Sequence, residues 1–189
     1  MRGVLLEVPS ELLAERARQG VDVFDEMWEG ELHMAPPPSE EHQRIGGELF
    51  IALHGTAVAS GLVVRYETGL FDPVAPEGSD YRVPDLMVFA TAQRSERGVE
   101  GDAALVVEIR SPDDESLDKV DFYQRVGVRE IVMIDRDTKD LRHWRRVDDA
   151  LVEAELADGT PVALSELDVT LQAVDGRLAV DTAAERTLI

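Results

Sequence analysis

The chain contains no cysteine, which excludes a disulfide framework, a thiolate metal site and a cysteine nucleophile. No apolar run approaches the ~18 consecutive residues of a membrane-spanning helix. Met1 to Arg18 mixes charged and apolar residues without the continuous hydrophobic core of a secretory signal. These absences lead to the expectation of a cytoplasmic protein. Lysine is nearly missing: of nineteen basic residues seventeen are arginine, and only Lys119 and Lys139 are lysine. Positive charge is scarce altogether, with a formal net charge of −20. That argues against a general polyanion binder, because phosphate contacts need a basic surface. No basic recognition helix or zinc finger is visible.

With 189 residues and 44% hydrophobic content, the chain is long enough to bury a core of its own and reads as one domain, residues 1–189. The charge is uneven. From Glu108 to Arg146 nine basic residues face ten acidic ones. This stretch is either a solvated, salt-bridged face or an approach that tolerates a negative substrate.

Periodicity and punctuation give the element order. Ser10 precedes a short amphipathic stretch from Glu11 to Gln19, stopped at Gly20. Residues 21–28 and 31–35 flank Glu29-Gly30 as a hairpin. Pro36-Pro37-Pro38 is an extended connector. Ser39 then caps a helix reaching about Ser60, with Ile45, Leu49, Ala52 and Leu53 on one face. Strands are expected over 62–70, 83–90, 103–109 and 129–135, a helix over 115–126, and an outer hairpin over 141–147 and 151–156. Ala103 to Ile109 is almost continuously apolar, so it reads as a central strand buried on both faces. Ser111-Pro112-Asp113-Asp114 reads as a turn. Residues 157–189 read as a peripheral tail of short strand or helix. The fold class is α+β, a central mixed sheet flanked by helices.

Two acids stand out. Asp85 opens one apolar strand after Pro84, and Glu108 lies within the next in Leu105-Val106-Val107-Glu108-Ile109-Arg110. Carboxylates on neighbouring buried strands are costly unless a cation sits between them. Residues i and i+2 on a strand share a face, so Arg110 is expected beside Glu108. Lys119, on the following helix, is the candidate ammonium. A plain Glu115–Lys119 helix pair is its simpler reading. Asp85 and Glu108, with the carbonyl of Ile109, form a candidate oxygen ligand set for Mg²⁺ or Mn²⁺. Glu26, His42 and Tyr123 are accessory candidates. For these the simpler readings are a surface glutamate, a helix-capping or core-edge histidine and a core tyrosine. His33, His54 and His143 lack zinc-ligand spacing.

The ordered set Val83-Pro84-Asp85-Leu86-Met87-Val88, Val106-Val107-Glu108-Ile109-Arg110-Ser111-Pro112, Lys119 with Tyr123, Gly127-Val128-Arg129-Glu130 and Ile134-Asp135 resembles the Uma-two family. That family is a branch of the PD-(D/E)xK nuclease superfamily of restriction-endonuclease-like folds. Glu26, Gly30-Glu31-Leu32, Pro38-Ser39 and His42 resemble its opening hairpin and helix, so the resemblance covers residues 21–144. It implies a Mg²⁺-dependent endonuclease acting on nucleic acid, DNA first, with Asp85, Glu108, Arg110 and Lys119 catalytic. A homodimer is expected for cutting two strands. Arg110 departs from the pattern, which has lysine there; Lys119 then takes that role. Two alternatives stay open: a catalytically silent nuclease-like interaction module, and a metal-dependent hydrolase of a smaller phosphate substrate, which suits the acidity better.

Overall fold

The computed structural model describes residues 3–112 and 114–189; Asp113, in the expected turn, lies outside them, as do Met1 and Arg2. In chain order the elements are β1 (Gly3–Leu5), α1 (Ser10–Gln19), β2 (Asp25–Trp28), β3 (Glu31–Met34), α2 (Glu40–Ala59), β4 (Val63–Tyr66), β5 (Leu70–Phe71), β6 (Tyr81–Arg82), β7 (Leu86–Phe89) and β8 (Val99–Glu100). There follow β9 (Leu105–Arg110), a 3₁₀ turn (Ser116–Lys119), α3 (Val120–Arg125), β10 (Glu130–Asp135), β11 (Leu141–Val147), β12 (Ala150–Glu153), β13 (Val162–Ala163), β14 (Val169–Val174), β15 (Arg177–Thr182) and β16 (Arg186–Leu188). No described helix is long and apolar enough to cross a membrane.

The mixed sheet expected from the sequence runs β12-β11-β10-β9-β7-β4. Its β9–β10 pair is parallel and the others antiparallel. Burial on both faces of β9 explains its unbroken apolar run. Leu105, Val107 and Ile109 join a cluster built with Ile45, Leu49 and Leu53 of α2. Val106 points the other way, into a second cluster with Met87, Phe122, Tyr123 and Met133. Glu108 is the next residue on that second face, so the strand's alternation delivers a carboxylate to the end of an apolar layer.

A second sheet, β1-β3-β2-β6-β5-β8, carries the opening hairpin. The tail is a four-stranded sheet, β13-β14-β15-β16, and its Leu171, Leu178 and Val180 share the first cluster with α2. Short segments such as Leu178-Ala179-Val180, apolar and buried throughout without alternation, hid this from sequence reading.

Other elements differ in detail. The expected strand 62–70 breaks at Glu67, whose φ is 45°. The expected helix 115–126 is a 3₁₀ turn followed by the short α3. Ser10 begins α1 rather than capping it with its side chain; Pro9 occupies the cap position, and Gly20 ends the helix in the left-handed conformation. Ser39 caps α2 as expected, its hydroxyl accepting from the His42 amide.

Candidate active site

The antiparallel ladder between β7 and β9 ends at Leu86↔Val107. Asp85 and Glu108 occupy the next register step on the two strands. Pro84 brings no amide to the ladder, and the Ile109 amide donates to Asp85 Oδ2 at 2.6 Å. His42 holds the other oxygen, Nε2 to Oδ1 at 2.8 Å. His42 is the third residue of α2 after the Ser39 cap, so its backbone is spent on the cap and its ring is free to reach the strand end. The ring contributes this role rather than a helix cap.

Glu108 is 2% exposed and Lys119 6%. Lys119 Nζ donates to Glu108 Oε1 at 3.1 Å and to Glu26 Oε1 at 2.8 Å. The anticipated Glu115–Lys119 pair does not form, because Glu115 precedes the 3₁₀ turn and pairs with His33 Nδ1 at 3.1 Å. Tyr123, buried in the core as expected, donates its hydroxyl to Glu108 Oε1. Glu26 is buried, not a surface residue. Its Oε1 also accepts the Val83 amide at 2.8 Å, and its Oε2 accepts Trp28 Nε1 at 2.8 Å.

Electrostatics divide the two glutamates that share the ammonium. Burial pushes the Glu108 carboxyl up to about 7, against the pull of Lys119 and with the push of Asp85 and Glu26. Burial pushes Glu26 up too, but Lys119 and the Val83 and Trp28 donors outweigh it and hold Glu26 below the usual carboxylate range. The closer ammonium and the better donor set decide the difference. Burial opposes the charge on Lys119, yet Glu108 and Glu26 raise its pKa above the ordinary lysine value. Burial likewise lowers His42, but the Asp85 hydrogen bond together with the charges of Asp85, Glu108 and Glu67 outweighs it, leaving the imidazole above its usual value.

These groups line one cavity of about 680 Å³, walled by the Pro36–Pro38 connector, the α2 N-terminus, the β2–β3 hairpin and the turns after β9 and β10. Arg110 is not among the lining residues; it stands at the last position of its strand, half-buried, with Nε lacking a hydrogen-bond partner. The guanidinium that faces the cavity is Arg136.

Glu67 also lines the cavity and was not singled out by the sequence, where it reads as an ordinary strand residue. Its amide donates to the Asp85 carbonyl at 3.0 Å, and Gln43 Nε2 donates to its carboxylate at 2.6 Å. Tyr66, donating to Gln43 Oε1 at 2.9 Å, packs where a Cβ on Gly46 would lie 2.5 Å from its ring. Burial and the Asp85 charge raise the Glu67 carboxyl.

Among the described residues no three histidine, aspartate or glutamate side chains are grouped to hold a metal ion. The residues that fit a hard divalent cation are Asp85 and Glu108, adjacent on one face, with Ile109 beside them on the cavity wall. Among the described residues each Asp85 oxygen makes one hydrogen bond, which leaves it a second lone pair. Burial first, and then the neighbouring Asp85 and Glu26 charges, raise the Glu108 carboxyl in spite of Lys119. A magnesium-type ion commonly takes one or two carboxylates and completes its shell with water and substrate oxygens. The donor chemistry therefore fits the group that the resemblance implies.

The fold is a mixed α+β one, a central mixed sheet flanked by helices. The structure resembles a crystal structure of a putative nuclease belonging to DUF820 from Anabaena variabilis, with a TM-score of 0.58 and 19% identity over 73% of this chain and 79% of that one. A family model, Uma2, described as "Putative restriction endonuclease", matches residues 13–180, and the chain belongs to that family. Comparison with curated protein sequences gives no match.

Proposed function

We propose that this protein is a Mg²⁺- or Mn²⁺-dependent nuclease that hydrolyses phosphodiester bonds, with DNA as the first substrate to test. The observation that carries this reading is the convergence of Asp85, Glu108, Lys119 and Glu26 on one cavity floor. Asp85 and Glu108 hold the cation, with the Ile109 carbonyl as a third oxygen. When bound, the cation supplies Lewis acidity toward water and the scissile phosphate.

The chain's own groups do the rest. His42 and the Ile109 amide fix the Asp85 carboxylate, so its ligand geometry is set before substrate arrives. Lys119 keeps its proton because two carboxylates surround it, so it acts as a hydrogen-bond donor that orients the attacking water, not as the base. Glu26 and Tyr123 hold Lys119 and Glu108 in register. Cutting both strands of a duplex would take two copies of the chain.

The acidic lining favours a second reading, a smaller phosphate substrate. Glu26, Glu67, Asp85, Glu108, Asp114 and Glu115 all line the cavity, and a long polyanion meets more of this charge than a short one. Purified protein incubated with duplex DNA, single-stranded DNA, RNA and nucleotides in Mg²⁺ or Mn²⁺ separates the two. Cleavage of polymers that is lost in Asp85→Ala and Glu108→Ala supports the nuclease. Turnover of nucleotides alone supports the second reading, and no turnover of any substrate rejects both.

A further inference from the structure

Apart from histidines, the described cavity lining holds two cationic side chains, Lys119 and Arg136. Lys119 is committed to Glu26 and Glu108 and is buried, so it has little reach beyond the cavity floor. Arg136 is different. Its Nε and Nη2 contact Asp137 at 2.9 and 3.1 Å, while Nη1 turns toward Ser111 Oγ at 3.5 Å, on the cavity wall. Among the described residues, that leaves one edge of the guanidinium with a single long contact.

The backbone that carries it is fastened on both sides. The Arg136 amide donates to the Arg110 carbonyl at 2.9 Å, tying the turn after β10 to the end of β9. The Arg136 carbonyl accepts from Lys139 Nζ, whose ammonium also contacts Glu41 of α2 at 2.9 Å. Lys139 is itself buried. The second of the chain's two lysines therefore braces the turn from which Arg136 projects. A guanidinium with one edge oriented by a carboxylate and the other facing a hydroxyl in a cleft is prepared for an oxyanion. The exposed Asp137 pair is itself worth little and serves mainly to orient.

We infer that Arg136, with the Ser111 hydroxyl, binds a phosphate group of the substrate at the cavity mouth, a substrate-positioning role that the sequence pattern alone would have given to Arg110. This rests on the phosphoryl-substrate reading above. It makes the cleft's affinity for substrate depend on one guanidinium at the rim rather than on a basic surface, consistent with the chain's net charge of −20.

The test measures binding of a fluorescein-labelled twelve-nucleotide single strand, as DNA and as RNA, in Ca²⁺. Arg136→Gln weakens binding about tenfold and lowers the salt-dependence slope by about one. Arg136→Lys restores the slope and part of the affinity. Arg142→Gln, which removes an exposed guanidinium paired with Glu153 away from the cavity, changes neither. Unchanged affinity in Arg136→Gln, or an equal loss in Arg142→Gln, overturns the inference.

A titration of the wild type with dimethyl phosphate in EDTA, read by amide NMR, keeps this separate from the nuclease reading. Shifts at Ser111 and Arg136 that vanish in Arg136→Gln sustain the phosphate site even if no oligonucleotide binds. Absence of those shifts in the wild type overturns it even if the protein proves to be a nuclease.

Discussion

Lys119 Nζ lies 3.1 Å from Glu108 Oε1, both groups nearly sealed from solvent at the base of the cavity. One ammonium here serves two glutamates, Glu108 and Glu26, with Asp85 adding to the local negative charge. Removing the cation therefore leaves buried carboxylates uncompensated. Breaking such a pair costs roughly 3–5 kcal/mol. Lys119→Met is expected to lose about that much stability in urea unfolding at pH 7. Adding Glu26→Gln and Glu108→Gln to it recovers most of the loss. Equal stability of Lys119→Met and wild type would show that the ammonium is not needed to balance the acids.

The raised Glu108 carboxyl gives a pH dependence of defined sign. Its folded pKa, about 7, lies above the unfolded value near 4.5, so the folded state binds this proton more tightly. Stability from this group is present below the unfolded pKa and is lost as pH rises through about 7. His42, also raised, loses stability in the same direction above its ordinary value of 6.5. Comparing wild type with Glu108→Gln in EDTA, the difference in unfolding free energy should move against the wild type between pH 4.5 and 7. A difference that is flat across that window contradicts the assignment.

Divalent cation should reverse this. At pH 8, Mn²⁺ is expected to raise the melting temperature of the wild type, because binding to the folded state alone stabilises it. Asp85→Asn and Glu108→Gln should abolish the increase. A shift that persists in both variants would locate the ion elsewhere.

Among the described residues the His42 ring hydrogen-bonds Asp85 alone. His42→Ala should keep the fold, because its amide still caps to Ser39. Its Mn²⁺ affinity should fall about 10–100-fold, the usual range for groups that orient a ligand. Isothermal titration checks this; unchanged affinity would show that the Ile109 amide suffices to hold Asp85.

Gly46→Ala tests the hydrogen-bonded support behind Glu67. The new methyl group would meet the Tyr66 ring, displacing the Tyr66–Gln43–Glu67 chain of hydrogen bonds. Destabilisation of about 1–3 kcal/mol is expected from the overpacking, with the Tyr66 and Gln43 side-chain resonances shifted. Wild-type stability and spectra would mean that the ring has room to move.

The residues legible in the sequence were those whose chemistry conflicts with their surroundings. Glu108 interrupts an apolar strand, and Asp85 follows a proline at the start of another, so each demanded a partner. Tyr123 was readable for its apolar face and Ser39 for its position before a helical pattern. Glu26 was readable only as an accessory candidate and Arg136 not at all, because an isolated acid in a hairpin and an arginine in a turn look alike whether they meet solvent or a cavity. Lys119 was found for its rarity, and of its two readings the structure keeps the pairing with Glu108 and not the helix pair with Glu115. Its neighbours in sequence suggested helix spacing, and the 3₁₀ turn redirected it to residues far along the chain. The family resemblance supplied the order of these pieces, and the tail's contribution to the core stayed hidden because short strands carry too few residues to declare a period.

The central claim is that Asp85 and Glu108 share one hard divalent cation. Crystals soaked in Mn²⁺ and measured at its absorption edge test it most directly. The account predicts an anomalous peak between the two carboxylates, next to the Ile109 carbonyl, that is absent in Glu108→Gln. No peak there at saturating Mn²⁺, with Lys119 still bridging Glu26 and Glu108, would contradict it.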